Sequence, residues 1–355
     1  MIKKKVLIVN SHIPWGGLGQ FTLSLAHGLR EEEYEVYGLV THSNEDNFET
    51  FKKLTHSTTY VGHLNKIAKY FTVLWLIWRM RPDVIFINYN AVIHFLLPFI
   101  PKTTVISIIH SEDAEFYRIS KINHNYVNAW VAPTPGVKEG FLNYANLARA
   151  KQDTHVISHG IKDSMTTRSE HNETELNIAF VGAVYEHKGA DLLPKIMEMV
   201  LAEIPYTKLL IIGSGKLDSA LKGEFEAKGM SKSIEFMGVI PHNQVREVLS
   251  QSDILLFPTR VEAFGLVIAE AMMEGAVPVV TLLPGITDAT VTDSETGFLI
   301  VKDDVEAFAQ RVIELGKNKS LLMNMSNASK IAAQERLSLS TMSRNYTNLI
   351  TKVTR

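Results

Sequence analysis

Cysteine is absent from all 355 residues. Its absence excludes disulfides, thiolate-ligated zinc, iron–sulfur clusters and cysteine nucleophiles together, and it fits a reducing compartment. Long apolar runs are missing as well. The longest, around Tyr70–Trp78, is interrupted by Thr72 and falls short of the roughly 20 residues a membrane-spanning helix needs. After the basic start, the apolar run Val6–Val9 is too short for a signal-peptide core. Charge of one sign is not in excess: 36 Lys and Arg against 38 Asp and Glu leave a net charge of -2. No global basic field therefore draws the whole chain to nucleic acid or to an anionic membrane. These absences predict a cytoplasmic protein with no nucleic-acid partner. The hydrophobic fraction of 46% with 21% charged residues excludes a mostly disordered chain, and the length predicts two domains.

The first 160 residues or so alternate short apolar runs with helical patterns. Strands are expected at Lys5–Asn10, Glu35–Thr41, Val84–Asn88, Thr104–Ile109 and Val127–Ala132. Each is a bare apolar run bounded by turn residues, as in parallel strands buried on both faces. The first is followed by a loop over Ser11–Gly19 and a helix from about Gln20 to Arg30, and Thr134-Pro135 reads as a helix start. A polar stretch without apolar periodicity then predicts a linker over 163–176. Beyond it the alternation restarts, with strands at Asn177–Val181, Lys208–Ile212, Ile234–Met237, Ile254–Phe257 and Val277–Val280, and helices near Ala190–Ala202 and Phe264–Glu274. The reading is α/β, with two doubly wound Rossmann-like domains over 1–162 and 177–337 and a ligand cleft at their strand C-termini.

Phe257–Val280 carries the most chemistry. A strand ends at Phe257-Pro258, a loop holds Glu262, and a helix opens near Phe264-Gly265-Leu266 with Glu270 one to two turns inside it. The first amides of that helix form an anion site, and Gly265 lets a phosphate approach the backbone. Two acids beside anion-binding amides suit a nucleotide sugar, which carries a diphosphate between two polyols. Alone, the two acids read equally as a solvated loop residue and a helix-face charge.

The frame around them is more specific. Pro258, Glu262, Phe264-Gly265, Glu270-Ala271-Met272, Gly275 and Pro278-Val279-Val280 resemble the retaining glycosyltransferases of family four, which have the GT-B fold. Phe180-Val181-Gly182 with His187-Lys188-Gly189 is similar to the family's phosphate loop. Leu210–Gly215, including Gly213, resembles its next strand and glycine turn, and Thr296–Leu299 its closing turn. In the first domain, Trp15-Gly16-Gly17-Leu18-Gly19 and the strand-end His110 stand where the family has its paired-glycine loop and a sugar-contacting histidine. His159 replaces the usual Asn of the pre-linker turn.

The resemblance implies two domains facing each other across a cleft. It implies that Glu270 binds ribose, that Glu262 holds the transferred sugar, and that His110 contacts it. Lys188 would neutralise the leaving diphosphate, helped by amides near Gly265 and Gly17. It also implies a UDP-linked donor ahead of a GDP-linked one, and no metal or other cofactor. The acceptor would be a glycan, polysaccharide or lipid-linked molecule of a bacterial surface, and a C-terminal helix over 338–355 would return to the first domain. One departure stands out: Ala183 occupies the place of an Arg, with Lys216 and Arg260 as candidate substitute phosphate cations. Rival readings are a degenerate regulatory subunit that binds a sugar nucleotide and a sugar-nucleotide epimerase on the same fold. A nicotinamide dehydrogenase fails because Thr22 stands where the third fingerprint glycine belongs.

The segment from Leu64 to Arg81 is basic and aromatic, with Lys66, Lys69, Arg79 and Arg81 around Tyr70, Phe71, Trp75 and Trp78. Its apolar residues surround most of the helix, as in a core helix. The other option is peripheral contact with the inner face of the cell membrane.

Overall fold

The computed structural model describes residues 3–44, 46–164 and 175–354. They divide into two compact units, Met1–Lys162 with Ser338–Arg355 and Asp163–Leu337. The segment read as a linker lies mostly outside the described residues.

In the first unit, strands β1 (Lys5–Asn10), β2 (Glu35–Val40), β3 (Ser57–Tyr60), β4 (Val84–Asn88), β5 (Thr104–Ile108), β6 (Ala129–Ala132) and β7 (Thr154–Val156) form one sheet. Its order is β3-β2-β1-β4-β5-β6-β7, and every neighbouring pair is parallel. All five residues of β4 are buried, which is why the run is apolar without alternation. The β1–β4 register sets Asn10 opposite Asn88. Two amides thus meet at the C-terminal edge, where the winding direction reverses.

The first helix runs from Gly17 to Glu31, three residues ahead of the expected Gln20. Gly16 caps it at φ 95°, in the left-handed region. A Cβ on Gly19 would come within 1.8 Å of the Pro14 carbonyl oxygen. The glycines therefore belong to the helix's first turn, and they let the loop before it fold down onto that turn.

The C-terminal helix Leu339–Val353 packs on the same core. Ser338 caps it, accepting from the Thr341 N–H. Tyr346 is fully buried, its ring 5.5 Å from Phe86 and 6.4 Å from Phe21.

The second unit has strands β8 (Leu176–Val181), β9 (Thr207–Ile212), β10 (Ile234–Gly238), β11 (Ile254–Phe257), β12 (Val277–Thr281) and β13 (Phe298–Ile300), in the order β10-β9-β8-β11-β12-β13. All pairs are again parallel. The switch point lies between β8 and β11. Three short strands, β3, β7 and β13, are absent from the sequence reading. All are sheet edges of three or four residues, too short to show a period. At β13 the segment read as a closing turn continues into an edge strand, with Phe298 paired to Val279.

The helix Lys66–Met80 departs from the core reading. Only Val73 and Ile77 are buried on it, while Ile67, Phe71, Trp75 and Trp78 are exposed. Ala68, Tyr70, Leu74, Leu76 and Met80 are half-buried, so the all-round apolar sequence leaves one stripe of large side chains outside.

Candidate functional site

At the β8/β11 switch point the second unit gathers its polar groups. The short turn Glu186–Lys188 ends at Gly189, φ 71°, where a Cβ would come within 1.9 Å of the Pro258 carbonyl oxygen. The same turn is stitched to the loop after β11. The His187 carbonyl oxygen accepts from the Arg260 N–H at 2.8 Å and from Thr259 Oγ1 at 3.3 Å. This stitching brings Lys188 and Glu262 together. Lys188 Nζ forms an ion pair with Glu262 Oε1, and the side chains are only 21% and 13% exposed. The ammonium also lies 5.8 Å from the centre of the Phe257 ring. Beside them, Gly213 at φ 125° packs so closely on Gly182 that a Cβ would sit 1.9 Å from its oxygen. Gly182 and Gly213 thus keep the strand ends open.

Gly265, at φ 77°, is the N-cap of the helix Leu266–Glu274 and has no side chain with which to bond the first amides. The Ile268 N–H bonds back to the Gly265 carbonyl oxygen at 2.8 Å, whereas Leu266 and Val267 stand in the first turn, where an α-helix offers no acceptor four residues back. Phe264 is buried beneath this turn. Glu270 is buried further along, and its Oε1 accepts from His242 Nε2 at 2.7 Å. His242 opens the helix His242–Gln251, and one turn on Arg246 pairs with the buried Glu274. His242 is not singled out by the sequence. The available signal was the matched four-residue spacing of His242 and Arg246 with Glu270 and Glu274.

Of the two proposed substitute cations, Arg260 is committed elsewhere. Its guanidinium binds Asp191 bidentately at 2.7 and 2.8 Å, and its Nε donates to Asp303 at 2.6 Å. The bonds to Asp191, chiefly, hold its charge even more firmly than usual. Arg260 therefore clamps the loop, and a phosphate would have to displace Asp191 or Asp303 to reach it. Lys216 meets Glu186 at 3.1 Å in an exposed pair, and such pairs are weak enough to exchange partners. Ala183 is itself exposed.

The first unit has its own polar strand ends. His110 follows β5, and its Nε2 lies 3.3 Å from Asn88 Oδ1. Asn88 in turn donates through Nδ2 to Asn10 Oδ1 at 3.0 Å. Asn88 Oδ1 is thus the acceptor, and His110 Nε2 carries the proton. Phe21 packs edge-on to the His110 ring at 5.0 Å and lies 4.4 Å from the His159 ring. Burial pushes the His110 pKa down to about 3, so the ring is neutral at physiological pH. His159, Asn10 and Asn88 join this cluster without having been singled out as site residues. Their contacts come from strand register and a distant turn, which local sequence does not reveal. Among the described residues no group of three or more His, Asp or Glu side chains is placed to hold a metal ion.

These histidines predict an acid limit to stability. His94, held between Ser107 and the Ile122 carbonyl, is pushed down to about 4 by burial. Below the unfolded value of 6.5, the unfolded chain takes up protons that the native sites refuse, so stability falls with pH. The melting temperature should be level above pH 6.5 and decline from there to about pH 5, above most carboxylate titration. Substituting His94→Gln should flatten that slope. An unchanged slope in the variant would remove His94 as a cause.

Known proteins resemble this chain in sequence over the second unit and in fold over nearly its whole length. The family described as "Glycosyl transferases group 1" matches residues 162–332. The GPI3 subunit of the Saccharomyces cerevisiae phosphatidylinositol N-acetylglucosaminyltransferase is 28% identical over 161 residues, 44% of this chain and 35% of that protein. A GDP-mannose-dependent monoacylated alpha-(1-6)-phosphatidylinositol monomannoside mannosyltransferase of Corynebacterium glutamicum is 30% identical over 198 residues, 53% of this chain and 51% of that one. The matched region thus spans from about a third to about half of those relatives. Across nearly the whole chain, the crystal structure of Anabaena Alr3699/HepE in complex with UDP superposes with a TM-score of 0.83 at 14% identity, covering 98% of this chain and 100% of that one. Residues 162–332 thus resemble the group 1 glycosyl transferases, and the chain has the GT-B fold.

Proposed function

We propose that this protein moves a hexose or N-acetylhexosamine from a nucleotide sugar to a glycan, polysaccharide or lipid-linked acceptor, with retention at the anomeric carbon. The observation that carries the reading is the Lys188–Glu262 ion pair at the β8/β11 switch point, in one unit with the Gly265 helix start and the His242-held Glu270. In the absence of donor, Lys188 and Glu262 neutralise each other. A diphosphate competes for the ammonium, and that exchange releases the Glu262 carboxylate to accept from a sugar hydroxyl. Glu270 has one oxygen engaged by His242 and keeps the other for ribose.

The acceptor oxygen attacks the anomeric carbon on the face from which the phosphate departs. The acceptor proton passes to the leaving phosphate oxygen, so no protein nucleophile is needed. Catalysis is then positioning plus stabilisation of phosphate charge by Lys188 and the first amides of Leu266–Glu274. These groups supply the neutralisation that a metal ion would otherwise provide.

The relatives differ in base: the solved HepE structure holds UDP, whereas the Corynebacterium protein is named for GDP-mannose. The sequence resemblance favours UDP. A thermal-shift panel of UDP, GDP, ADP and their sugars, without and with Mg²⁺, tests this directly. UDP at about 100 times its Kd should stabilise by about 2.7 kcal/mol, with no need for metal. A shift with GDP alone would overturn the base, and no shift with any nucleotide would overturn the donor site. The exposed Ala183 keeps one rival, a degenerate binding subunit. Binding with no turnover across an acceptor panel would favour it.

A further inference from the structure

We propose that the outer face of the helix Lys66–Met80, together with Phe95 and Phe99, docks the first unit onto an anionic lipid bilayer. The inference concerns a surface of the first unit that shares no residue with the donor site of the second, and it stands without that reading. Ile67, Phe71, Trp75 and Trp78 are between 55% and 72% exposed. Their spacing of four, four and three residues places them in one stripe along the helix. Phe95 and Phe99, also exposed, extend the stripe sideways. Trp78 Nε1 donates to the Phe99 carbonyl oxygen at 2.9 Å. A surface cavity of about 440 Å³ joins Phe71 to Phe95. Six large apolar side chains thus form a continuous patch, and a patch of this kind marks an interaction site.

Charge complementarity identifies the occupant. The helix contains no Asp or Glu, and it carries Lys66, Lys69 and Arg79, with Arg81 directly after it. The Arg79 guanidinium lies 5.3 Å from the centre of the Trp75 ring, so charge and aromatic surface are interleaved. Beside Trp78 opens a cavity of about 970 Å³ lined in part by Lys4, Arg81 and Lys102. Its acidic member, Asp83, already accepts from the Lys5 N–H at 2.7 Å. An apolar stripe edged by cations matches the boundary between lipid headgroups and acyl chains. A second copy of the same face would set these cations against one another.

Depth is limited by geometry. Fifteen residues make a helix of about 22 Å, and no described helix is long and apolar enough to cross a membrane. The helix therefore lies in the plane of the interface. The Trp78 N–H is already bonded to Phe99, so its ring enters the acyl boundary without stranding a donor.

The test is flotation of the full chain with vesicles of phosphatidylcholine alone and of phosphatidylcholine mixed with phosphatidylglycerol. Binding should be at least about ten-fold stronger with the anionic lipid and weaken with salt. The double variant Phe71→Ser/Trp75→Ser, at exposed positions, should keep its melting temperature and its UDP-induced shift while losing about ten-fold in vesicle binding. Equal flotation with both vesicles, or a variant that floats like the parent, would overturn the proposal. So would a dimer seen by light scattering that the variant dissolves, because the patch would then be a contact between copies. Retained UDP binding separates failure here from failure of the donor site.

Discussion

Glu262→Gln is expected to reduce sugar transfer by about 10²- to 10³-fold, the cost of losing one preorganised charged group at a reacting centre, while leaving UDP binding intact. The carboxylate is largely shielded and paired with Lys188. Removing its charge frees the ammonium for the diphosphate and leaves a sugar hydroxyl only a neutral amide oxygen as its acceptor. Lys188→Ala should act in the opposite sense on binding: UDP affinity falls, and transfer falls with it. Titration with UDP followed by initial-rate measurement on each variant separates the two roles. Equal loss of UDP affinity in both variants would mean that the pair merely holds the loop. Unimpaired transfer by Glu262→Gln would remove it from the reaction altogether.

Tyr346→Ala is expected to destabilise the first unit by about 3–5 kcal/mol, the range for deleting a large ring from a packed core. The ring is fully buried against Phe86 and Phe21 and fixes the C-terminal helix to the sheet that the N-terminal half of the chain builds. Tyr346→Phe should instead be neutral or stabilise by about 1 kcal/mol, because the buried hydroxyl has no hydrogen-bond partner. All four tryptophans, Trp15, Trp75, Trp78 and Trp130, belong to the first unit. Tryptophan fluorescence in a urea titration therefore reports that unit alone. A Tyr346→Ala transition within about 1 kcal/mol of the parent would show that the helix is dispensable to the unit.

Much of the architecture was legible because buried parallel strands are written as unbroken apolar runs. The central strands β1, β4 and β11 start and end where the sequence places them, and β5 ends one residue early. Edge strands such as Ser57–Tyr60 were not legible, since a strand paired on one side has no need of an apolar run. The glycine loop was recognised, but the helix start was misplaced. Gly16, Gly17 and Gly19 read as loop, whereas Gly16 is the cap and Gly17 and Gly19 lie in the first helical turn, Gly19 packed against Pro14.

The candidate site divides in the same way. Glu262, Gly265 and Glu270 stand in one local segment, so their spacing was readable without a structure. His242 and the Asn10–Asn88–His110 chain come from segments far apart and depend on register and helix packing. Arg260 shows the limit from the other side: its sequence context says loop cation, and only folding shows that Asp191 and Asp303 occupy it. The same holds for the helix Lys66–Met80, whose apolar residues suggest a core until packing leaves one stripe of them outside. By itself the sequence determined the alternation of strands and helices, the two-domain α/β plan and the local acid–glycine frame, because these are properties of adjacent residues and their periodicity. Only the tertiary structure decided which charges are spent on each other, which histidines join the sites and which apolar face stays outside, because those depend on distances between residues remote in the chain.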